Sequence, residues 1–234
     1  MNARTRTVMI TGAAGNLGRC VARSFLAEGA RLVLVDLRRE SLVAAFGAED
    51  ERRLFAPANL LEQEQANGVA KAALERFGRI DVLCNLAGGF RMGEAVHETA
   101  DTNWDFLFDI NARTLLHAVR AVVPHMIDSG GGKVVNVGAF AAQKGLPGMG
   151  AYSAAKGAVI RLTEAMAAEL REKNINVNCV LPTIIDTPEN RAAMPDADPS
   201  RWVAPEDLAS AIAFLASDGA RAVHGAALPV TALS

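Results

Sequence analysis

The chain has 234 residues, of which 50% are hydrophobic and 21% are charged, and its formal net charge at pH 7 is -2. This length supports one large hydrophobic core, and the near-neutral charge gives no electrostatic basis for binding nucleic acid or an anionic membrane. The three scattered cysteines indicate neither a disulfide framework nor a metal site, and no apolar run of about 18 residues indicates a membrane span. We therefore expect a cytoplasmic protein without a bound metal.

Short β-branched segments alternate with longer segments of helical periodicity along the chain. The predicted strands are Thr7–Thr11, Arg31–Asp36, Arg53–Ala56, Ile80–Asn85, Lys133–Val137, Ile175–Leu181 and Ala226–Val230. The predicted helices are Leu17–Glu28, Arg39–Phe46, Leu61–Phe77, Thr102–Ser129, Met149–Glu172 and Pro205–Ala216. Several strands are apolar nearly throughout, which is typical of strands covered on both faces. The pattern predicts a single-domain α/β fold over residues 1–234, a Rossmann-type doubly wound parallel β-sheet of about seven strands with helices on both faces.

One proline-rich segment, residues 187–203, does not fit this alternation. It falls between the sixth strand and the next helix, at the carboxyl edge where ligands bind in such sheets. Two interpretations remain open: a substrate lid over the site, or a surface loop that contains a short helix.

A glycine-rich turn, residues 11–18, follows the first predicted strand and opens the first helix. Gly12, Gly15 and Gly18 permit a tight turn, close approach of a pyrophosphate and close packing of helix on strand. The free amides and the positive dipole end of the helix then face the phosphates. Between a strand and a helix, this turn predicts dinucleotide binding, with a purely structural turn as the alternative.

Asp36 closes the second predicted strand, 18 residues after Gly18. A carboxylate at this point accepts hydrogen bonds from the ribose hydroxyls and repels a 2′-phosphate, which favours NAD over NADP. Arg38 and Arg39 follow closely and soften this preference, so NADP stays open as an alternative cofactor.

Tyr152 and Lys156 stand four residues apart on one face of a predicted helix, and Tyr152 is the only tyrosine. A nearby ammonium favours the phenolate and is expected to lower the tyrosine pKa from about 10, so that Tyr152 passes a proton near neutral pH. Lys156 can also hydrogen-bond the nicotinamide ribose. The pair predicts proton-donating redox chemistry, with a chance spacing as the alternative.

Over essentially its whole length the chain resembles the short-chain dehydrogenase/reductase family. The resemblance rests on the glycine-rich turn, Asn85-Leu86-Ala87-Gly88, Asn111, Val135-Asn136-Val137, the Tyr152/Lys156 pair and Asn178-x-x-x-Pro182. It implies an NAD(P)-dependent oxidoreductase that acts on a small molecule. It also implies that Asn111 holds a water in a proton relay through Lys156.

The resemblance further implies which residues bind the cofactor. Asn85 to Gly88 would back the adenosine side, and Thr187 would contact the nicotinamide carboxamide or the diphosphate. Asn59 falls where the family usually has an aspartate beside the adenine. The expected cofactor-binding residues are Gly12, Gly15, Asn16, Leu17, Gly18, Asp36, Leu37, Asn59, Leu60, Asn85, Ala87, Gly88, Tyr152, Lys156, Pro182, Ile185 and Thr187, and the expected catalytic residues are Tyr152, Lys156 and Asn111.

The chain departs from the family's commonest branch in a way that bears on the substrate. That branch has a serine thirteen residues before its tyrosine, where this chain has Ala139. Loss of one hydroxyl donor to a developing alkoxide costs roughly 3–4 kcal/mol. A conjugated quinonoid imine needs less help because its charge spreads over the ring. Ala139 beside Tyr152 therefore favours a flat, conjugated acceptor.

The departures resemble one subfamily, dihydropteridine reductase, which reduces quinonoid dihydropterin with NADH and lacks the serine. The most specific matching segment is residues 186–202, DTPENRAAMPDADPSRW. Asn111, by contrast, departs from dihydropteridine reductase and matches the commonest branch of the family. Candidates to sandwich a flat ring are Phe90, Met149, Met194 and Trp202, with ordinary packing as the alternative for each.

Three functions remain open. The first is an NADH-dependent reductase of a conjugated acceptor, and the second is a family member acting on another carbonyl or alcohol, such as a 3-oxoacyl thioester. The third is a cofactor-binding protein without turnover, against which the joint presence of Tyr152, Lys156 and Asn111 argues. Because two long helices pair across a two-fold axis in this family, a homodimer or homotetramer is expected.

Overall fold

The structure is a computed structural model that describes residues 5–234. Its strands form one seven-stranded sheet in the order β3-β2-β1-β4-β5-β6-β7, and every neighbouring pair is parallel. The strands are β1 (Thr7–Thr11), β2 (Arg31–Asp36), β3 (Arg53–Pro57), β4 (Val82–Asn85), β5 (Gly132–Val137), β6 (Ile175–Pro182) and β7 (Ala227–Val230). The predicted doubly wound α/β fold is confirmed.

Helices cover both faces of this sheet. They are α1 (Asn16–Ala27), α2 (Arg39–Phe46), α3 (Gln63–Phe77), α4 (Asp101–Phe108), α5 (Thr114–Asp128), α6 (Gly150–Leu170), α7 (Pro188–Ala193) and α8 (Pro205–Leu215). Short 3₁₀ turns lie at Val96–Glu98, Phe140–Gln143, Arg171–Lys173, Pro199–Arg201 and Asp218–Ala220. Within residues 5–234, no helix combines the length and the hydropathy that crossing a membrane requires.

Two hydrophobic cores explain why the strands are apolar on both faces. Successive side chains of a strand point to opposite faces, and β1 divides accordingly. Met9 packs into the core that contains residues of α3 and α5. Val8 and Ile10 pack into the core that contains residues of α1 and α8. Each strand residue therefore buries its side chain, and the strand reads as a continuous apolar run.

The helix predicted over Thr102–Ser129 is present as a continuous helical segment over residues 101–128, but it contains one irregular turn. A π-helical turn at Asp109–Arg113 separates α4 from α5. Side chains compete for helix carbonyls at this point: Asn111 Nδ2 donates to Leu107 O at 2.9 Å, and Thr114 Oγ1 donates to Ile110 O at 2.8 Å. Such side-chain bonds to the preceding turn disturb the regular hydrogen-bond ladder. The helical periodicity of the apolar residues in the sequence does not reveal this π-helical turn.

The strand order places a crevice at the carboxyl edge of the sheet. From β1 the chain first proceeds outward to β2 and β3, then returns to β4 on the other side and continues to β7. The connections on either side of β1 therefore leave in opposite directions, which opens a crevice beyond its carboxyl end. The glycine-rich turn and the loop after β4 both begin there.

Candidate active site

The glycine-rich turn folds tightly against the loop that follows β4. Gly12 has a φ of +63°, which favours glycine, and a Cβ on it would stand 3.0 Å from the backbone nitrogen of Ala87. A Cβ at Gly18 would stand 2.6 Å from Ala13 O, so helix α1 could not approach the turn this closely with a side chain there. Thr11 Oγ1 accepts hydrogen bonds from the amides of Leu86 and Ala87, which fixes the two loops together.

The first turn of α1 leaves an anion-binding cradle at the carboxyl edge. Gly15 is the N-cap, no side chain of the described chain caps the helix, and the first turn contains no acidic residue. The amides of Asn16, Leu17 and Gly18 are among those for which a helix supplies no internal partner. Together with the dipole of α1, they fit the pyrophosphate of a dinucleotide.

Asp36 lies at the end of β2 and helps to shape the same cradle. Its Oδ2 accepts a hydrogen bond from the amide of Ala14 at 3.0 Å, and its Oδ1 accepts one from Leu37 at 2.8 Å. Each carboxylate oxygen retains a further lone pair for a ribose hydroxyl. Leu37 is 64% exposed beside it and offers an apolar surface to an adenine ring.

The other expected cofactor contacts form a row along this edge, each following one strand. Leu61 N donates to Asn59 Oδ1, and Leu60 is buried after β3. Asn85 is buried at the end of β4 and donates to Asn136 Oδ1 at 2.9 Å, so its side chain acts within the sheet. The carboxyl end of β6 brings the remaining residues to the edge, namely Pro182, Ile185 and Thr187.

The structure corrects the expected pKa of Tyr152. Burial raises the pKa of this phenol to about 12, whereas the sequence suggested that Lys156 would lower it. Desolvation penalises the phenolate, and the ammonium of Lys156 is directed elsewhere. Its Nζ donates to Val137 O at 2.9 Å. Tyr152 is therefore held as a neutral proton donor.

Lys156 and Asn111 meet at the bare backbone of Gly88. A Cβ on Gly88 would stand 2.9 Å from Asn111 Oδ1 and 3.2 Å from Lys156 Nζ. The side chain of Asn111 clamps the next residue, because its Oδ1 accepts from Gly89 N and its Nδ2 donates to Gly89 O. Burial lowers the pKa of Lys156 to about 8. The π turn and the loop after β4 thus bring the expected catalytic residues together.

Ala139 lies two residues after the end of β5, where the resemblance to the family's commonest branch would place a serine. It is buried and leads into the 3₁₀ turn Phe140–Gln143. The neighbouring hydroxyl of Ser153 cannot replace the serine, since it donates to Ala141 O at 3.2 Å. Of these residues, Tyr152 is the candidate to donate a hydroxyl hydrogen bond to the substrate.

An aromatic contact closes the substrate side of Tyr152. The Phe90 ring meets the Tyr152 ring edge-on, with centroids 4.8 Å apart, and Phe90 is 53% exposed. A pocket of only about 20 Å³ lies beside them, and Met149 helps to line it. Of the expected ring-stacking residues, the structure thus places Phe90 and Met149 at the site. Trp202 is 6% exposed and packs in the interior, which accounts for it without a ligand.

Residues 187–203 fold into a connected excursion above the glycine-rich turn. Thr187 caps α7 by accepting from Asn190 N at 3.2 Å. Glu189 accepts from Asn16 Nδ2 at 2.7 Å, which links α7 to the cofactor cradle. The ends of the excursion are joined by a parallel bridge between Ile185 and Val203.

Arg91 lies beside the site with two residues that the sequence analysis did not single out, whereas the sequence left open whether Arg91 meets a charged substrate group. Arg91 lies over the Phe106 ring at 3.8 Å and donates to Asn103 Oδ1 at 2.7 Å. Asn103 in turn donates to Glu94, and this cluster lines the pocket beside Tyr152. No sequence pattern pointed to Glu94, in the loop after β4, or to Asn103, on α4, as members of this cluster.

The sequence profile described as short chain dehydrogenase matches residues 6–198. The chain belongs to the short-chain dehydrogenase family. It is 33% identical to the (2S)-[(R)-hydroxy(phenyl)methyl]succinyl-CoA dehydrogenase subunit BbsD of Thauera aromatica, over 98% of this chain and 96% of that protein. It is 32% identical to the 3-oxoacyl-[acyl-carrier-protein] reductase FabG of Thermotoga maritima, over 96% of each.

Solved structures of this family agree with the fold. Carveol dehydrogenase from Mycobacterium avium, in complex with NAD, superimposes with a TM-score of 0.89 at 30% identity, covering 97% of this chain and 96% of that one. A 3-ketoacyl-(acyl-carrier-protein) reductase from Brucella melitensis, complexed with NADH, gives 0.87 at 28% identity, covering 97% of each chain. The protein is an NAD(P)-dependent oxidoreductase, and the cradle formed by α1 and Asp36 fits that cofactor.

Proposed function

We propose that this short-chain dehydrogenase reduces a flat, conjugated acceptor, of which quinonoid dihydropterin is the test case, with NADH as the reductant. The buried Ala139 carries this proposal, because it leaves Tyr152 without a second hydroxyl to stabilise an alkoxide. The edge-on Phe90 ring supports it, since displacement of that ring would expose an aromatic face on which a planar acceptor stacks.

In this proposal, each residue of the site has a defined task. The nicotinamide supplies the hydride, and Tyr152 donates the proton from its neutral hydroxyl. Lys156 holds the ribose and replaces the proton lost by Tyr152, with Asn111 positioning the relay. Burial of Tyr152 favours reduction of the acceptor, because a tyrosine pKa of about 12 keeps the proton on the hydroxyl until the acceptor gains negative charge.

The proposed residue that distinguishes substrates is Ala139, and its replacement by serine tests the idea. We expect Ala139→Ser to raise the rate with a simple ketone or an acetoacetyl thioester about tenfold, a fraction of the 10²–10³ that an optimised donor provides. The rate with quinonoid dihydropterin should change little. NADH oxidation is measured with all three acceptors.

Ala141→Ser is the matched control, since it adds the same hydroxyl two residues away in the 3₁₀ turn Phe140–Gln143. It should leave the acceptor preference of the wild type unchanged. If the wild-type enzyme reduces the thioester and ignores the pterin, the conjugated-acceptor proposal is wrong.

The second candidate substrate is a hydroxy- or oxoacyl thioester. The two relatives described above are named for a succinyl-CoA dehydrogenase and an acyl-carrier-protein reductase. Arg91, which is exposed and lines the pocket, offers a cation to a phosphate of such a carrier. The same three-acceptor assay separates the two candidates.

We also propose that Asp36 selects NADH over NADPH. Asp36→Asn removes the charge that repels a 2′-phosphate and weakens two ribose contacts, so we expect the NADH-to-NADPH preference to fall about tenfold. The ratio of kcat/KM for the two cofactors measures this. An unchanged ratio would show that Arg38 or another group sets the preference.

A homodimer or homotetramer in the cytoplasm is a further part of this proposal. Trp104 stacks on Phe108 at 4.5 Å and is 44% exposed on α4, which provides an aromatic surface for a second copy. All three cysteines are free and buried, in keeping with a reducing compartment. Light scattering tests the assembly, and a monomer mass would refute it.

A further inference from the structure

A second cavity, of about 520 Å³, lies at the edge of the sheet opposite to the cofactor cradle. Its walls include Val82 and Lys133 at the amino ends of β4 and β5, Asn176 at that of β6, and Arg6 just before β1. Its volume is in the range of small-molecule sites, roughly 300–1,000 Å³. A strand of five residues spans about 17 Å, so this cavity is separate from the active site.

Positive charge dominates the lining of this cavity although the chain as a whole carries a net charge of -2. Two carboxylates and five arginine or lysine side chains face it, together with His224. The cationic residues are Arg6, Arg79, Lys133, Arg171 and Arg221, and the acidic residues are Asp81 and Asp218. The carboxylates therefore cannot neutralise the cluster.

Some of these cations already pair with a carboxylate of the protein, and others do not. Arg79 pairs with Asp81, and Arg6 pairs with Glu28 and donates to Ala216 O at 2.8 Å. These contacts hold the floor of the cavity in place.

The remaining cations have no such partner. Lys133 donates to the neutral Asn176 Oδ1 at 2.6 Å. Among residues 5–234, no carboxylate lies within ion-pair distance of Arg171 or Arg221. The dipole at the end of α6 accounts for a cation at Arg171, but Arg221 follows a different element and lines the same cavity.

Two groups that line the cavity have shifted pKa values. Burial lowers the pKa of Lys133, Asp218 opposes this shift, and Arg6 lowers the pKa by a smaller amount. The pKa of His224 is lowered by burial and then by Arg171 and Lys133. Cations that oppose each other in this way are stabilised when an anion binds between them.

The rim of the cavity is preformed by a rigid glycine loop. Gly131 has a φ of +137°, and a Cβ on it would stand 2.5 Å from Asn174 Nδ2. The amides of Gly130, Gly131 and Gly132 all donate to backbone carbonyls. Recognition of an anion here must therefore come from the side chains, and guanidinium groups suit the tetrahedral oxygens of phosphate.

We propose that this cavity binds a small phosphate-bearing polyanion, held by Lys133, Arg171 and Arg221. The site is distinct from the pyrophosphate cradle of the cofactor and does not depend on the proposed substrate. Occupancy would bridge α6, β5 and the segment after α8, and would stabilise the folded protein against heat.

Calorimetric titration with inorganic tripolyphosphate tests this proposal. The enzyme is first saturated with NADH, so that the pyrophosphate cradle is filled. We expect one site, an affinity that falls as salt is added, and binding about tenfold weaker in each of Arg171→Ala and Arg221→Ala. Citrate should bind less tightly than tripolyphosphate, and the melting temperature should rise with tripolyphosphate.

Arg120→Ala is the matched control, because Arg120 is an exposed arginine on α5 that does not line the cavity. Its affinity should equal that of the wild type. No binding to the NADH-saturated wild type, or equal weakening in all three variants, would overturn the proposal. Citrate binding as tight as tripolyphosphate binding would contradict the phosphate assignment.

Discussion

Tyr152→Phe is expected to lower turnover about 10³-fold while leaving the affinity for NADH close to that of the wild type. The change removes only the phenolic hydroxyl, so the ring still packs edge-on against Phe90 and the site stays folded. Burial keeps that hydroxyl protonated, with a pKa of about 12, so the variant loses the proposed proton donor itself. Turnover follows from NADH oxidation, and affinity from quenching of NADH fluorescence.

Ser153→Ala is the matched control for this variant. It deletes the next hydroxyl along α6, which donates its proton to Ala141 O. We expect this control to retain turnover near the wild-type level. Turnover of Tyr152→Phe within tenfold of the wild type would instead show that another group supplies the proton.

Lys156→Met is expected to stabilise the fold by about 2 kcal/mol at pH 7 while abolishing most turnover. Burial lowers the pKa of Lys156 from 10.5 to about 8, so the folded state bears a penalty of about 3 kcal/mol for the charged ammonium. Methionine removes this penalty, but Val137 O loses its donor at a cost of about 1 kcal/mol. The free energy of unfolding in urea measures the difference.

The stability difference should depend on pH in a defined direction. Below pH 8 both states of the wild type carry the proton, and the penalty is fully present. Between about pH 8 and 10.5 the unfolded chain binds a proton that folded Lys156 has lost, so wild-type stability rises relative to Lys156→Met. The advantage of the variant at pH 7 should therefore shrink toward pH 10.

Lys71→Met provides the control, since Lys71 is exposed on α3 and forms only a long 3.9 Å ion pair with Glu75. Its stability should stay within about 0.5 kcal/mol of the wild type at every pH. If Lys156→Met were less stable than the wild type at pH 7, the ammonium would be stabilised in the folded state and its assigned pKa would be wrong.

Sequence patterns predicted most of this architecture because the determining interactions are local or periodic. The apolar runs of β1 and β2 follow from burial on both faces, and their predicted bounds agree with the structure. The spacing of Tyr152 and Lys156 is a property of any helix. The glycines of the turn identify the cradle, since a Cβ at Gly18 would collide with backbone.

The features that could not be predicted depend on tertiary contacts. The π turn coincides with a long-range contact, since Asn111 Nδ2 donates to Gly89 O, 22 positions away in sequence. The pKa of Tyr152 is set by how deeply the ring is buried, which the spacing to Lys156 does not reveal. Likewise, the cationic cavity brings together arginines from opposite ends of the chain, so no single stretch of sequence predicts it.

The bridge between Ile185 and Val203 has a consequence for how such an enzyme can diversify. The excursion begins and ends at one point between β6 and α8, because Asp186 N donates to Val203 O and Val203 N donates to Ile184 O. A segment whose two ends are joined in this way tolerates insertions, since doubling its length costs the folded state only about 0.6 kcal/mol of loop-closure entropy. Descendants could therefore acquire new segments above the cradle while inheriting the sheet unchanged.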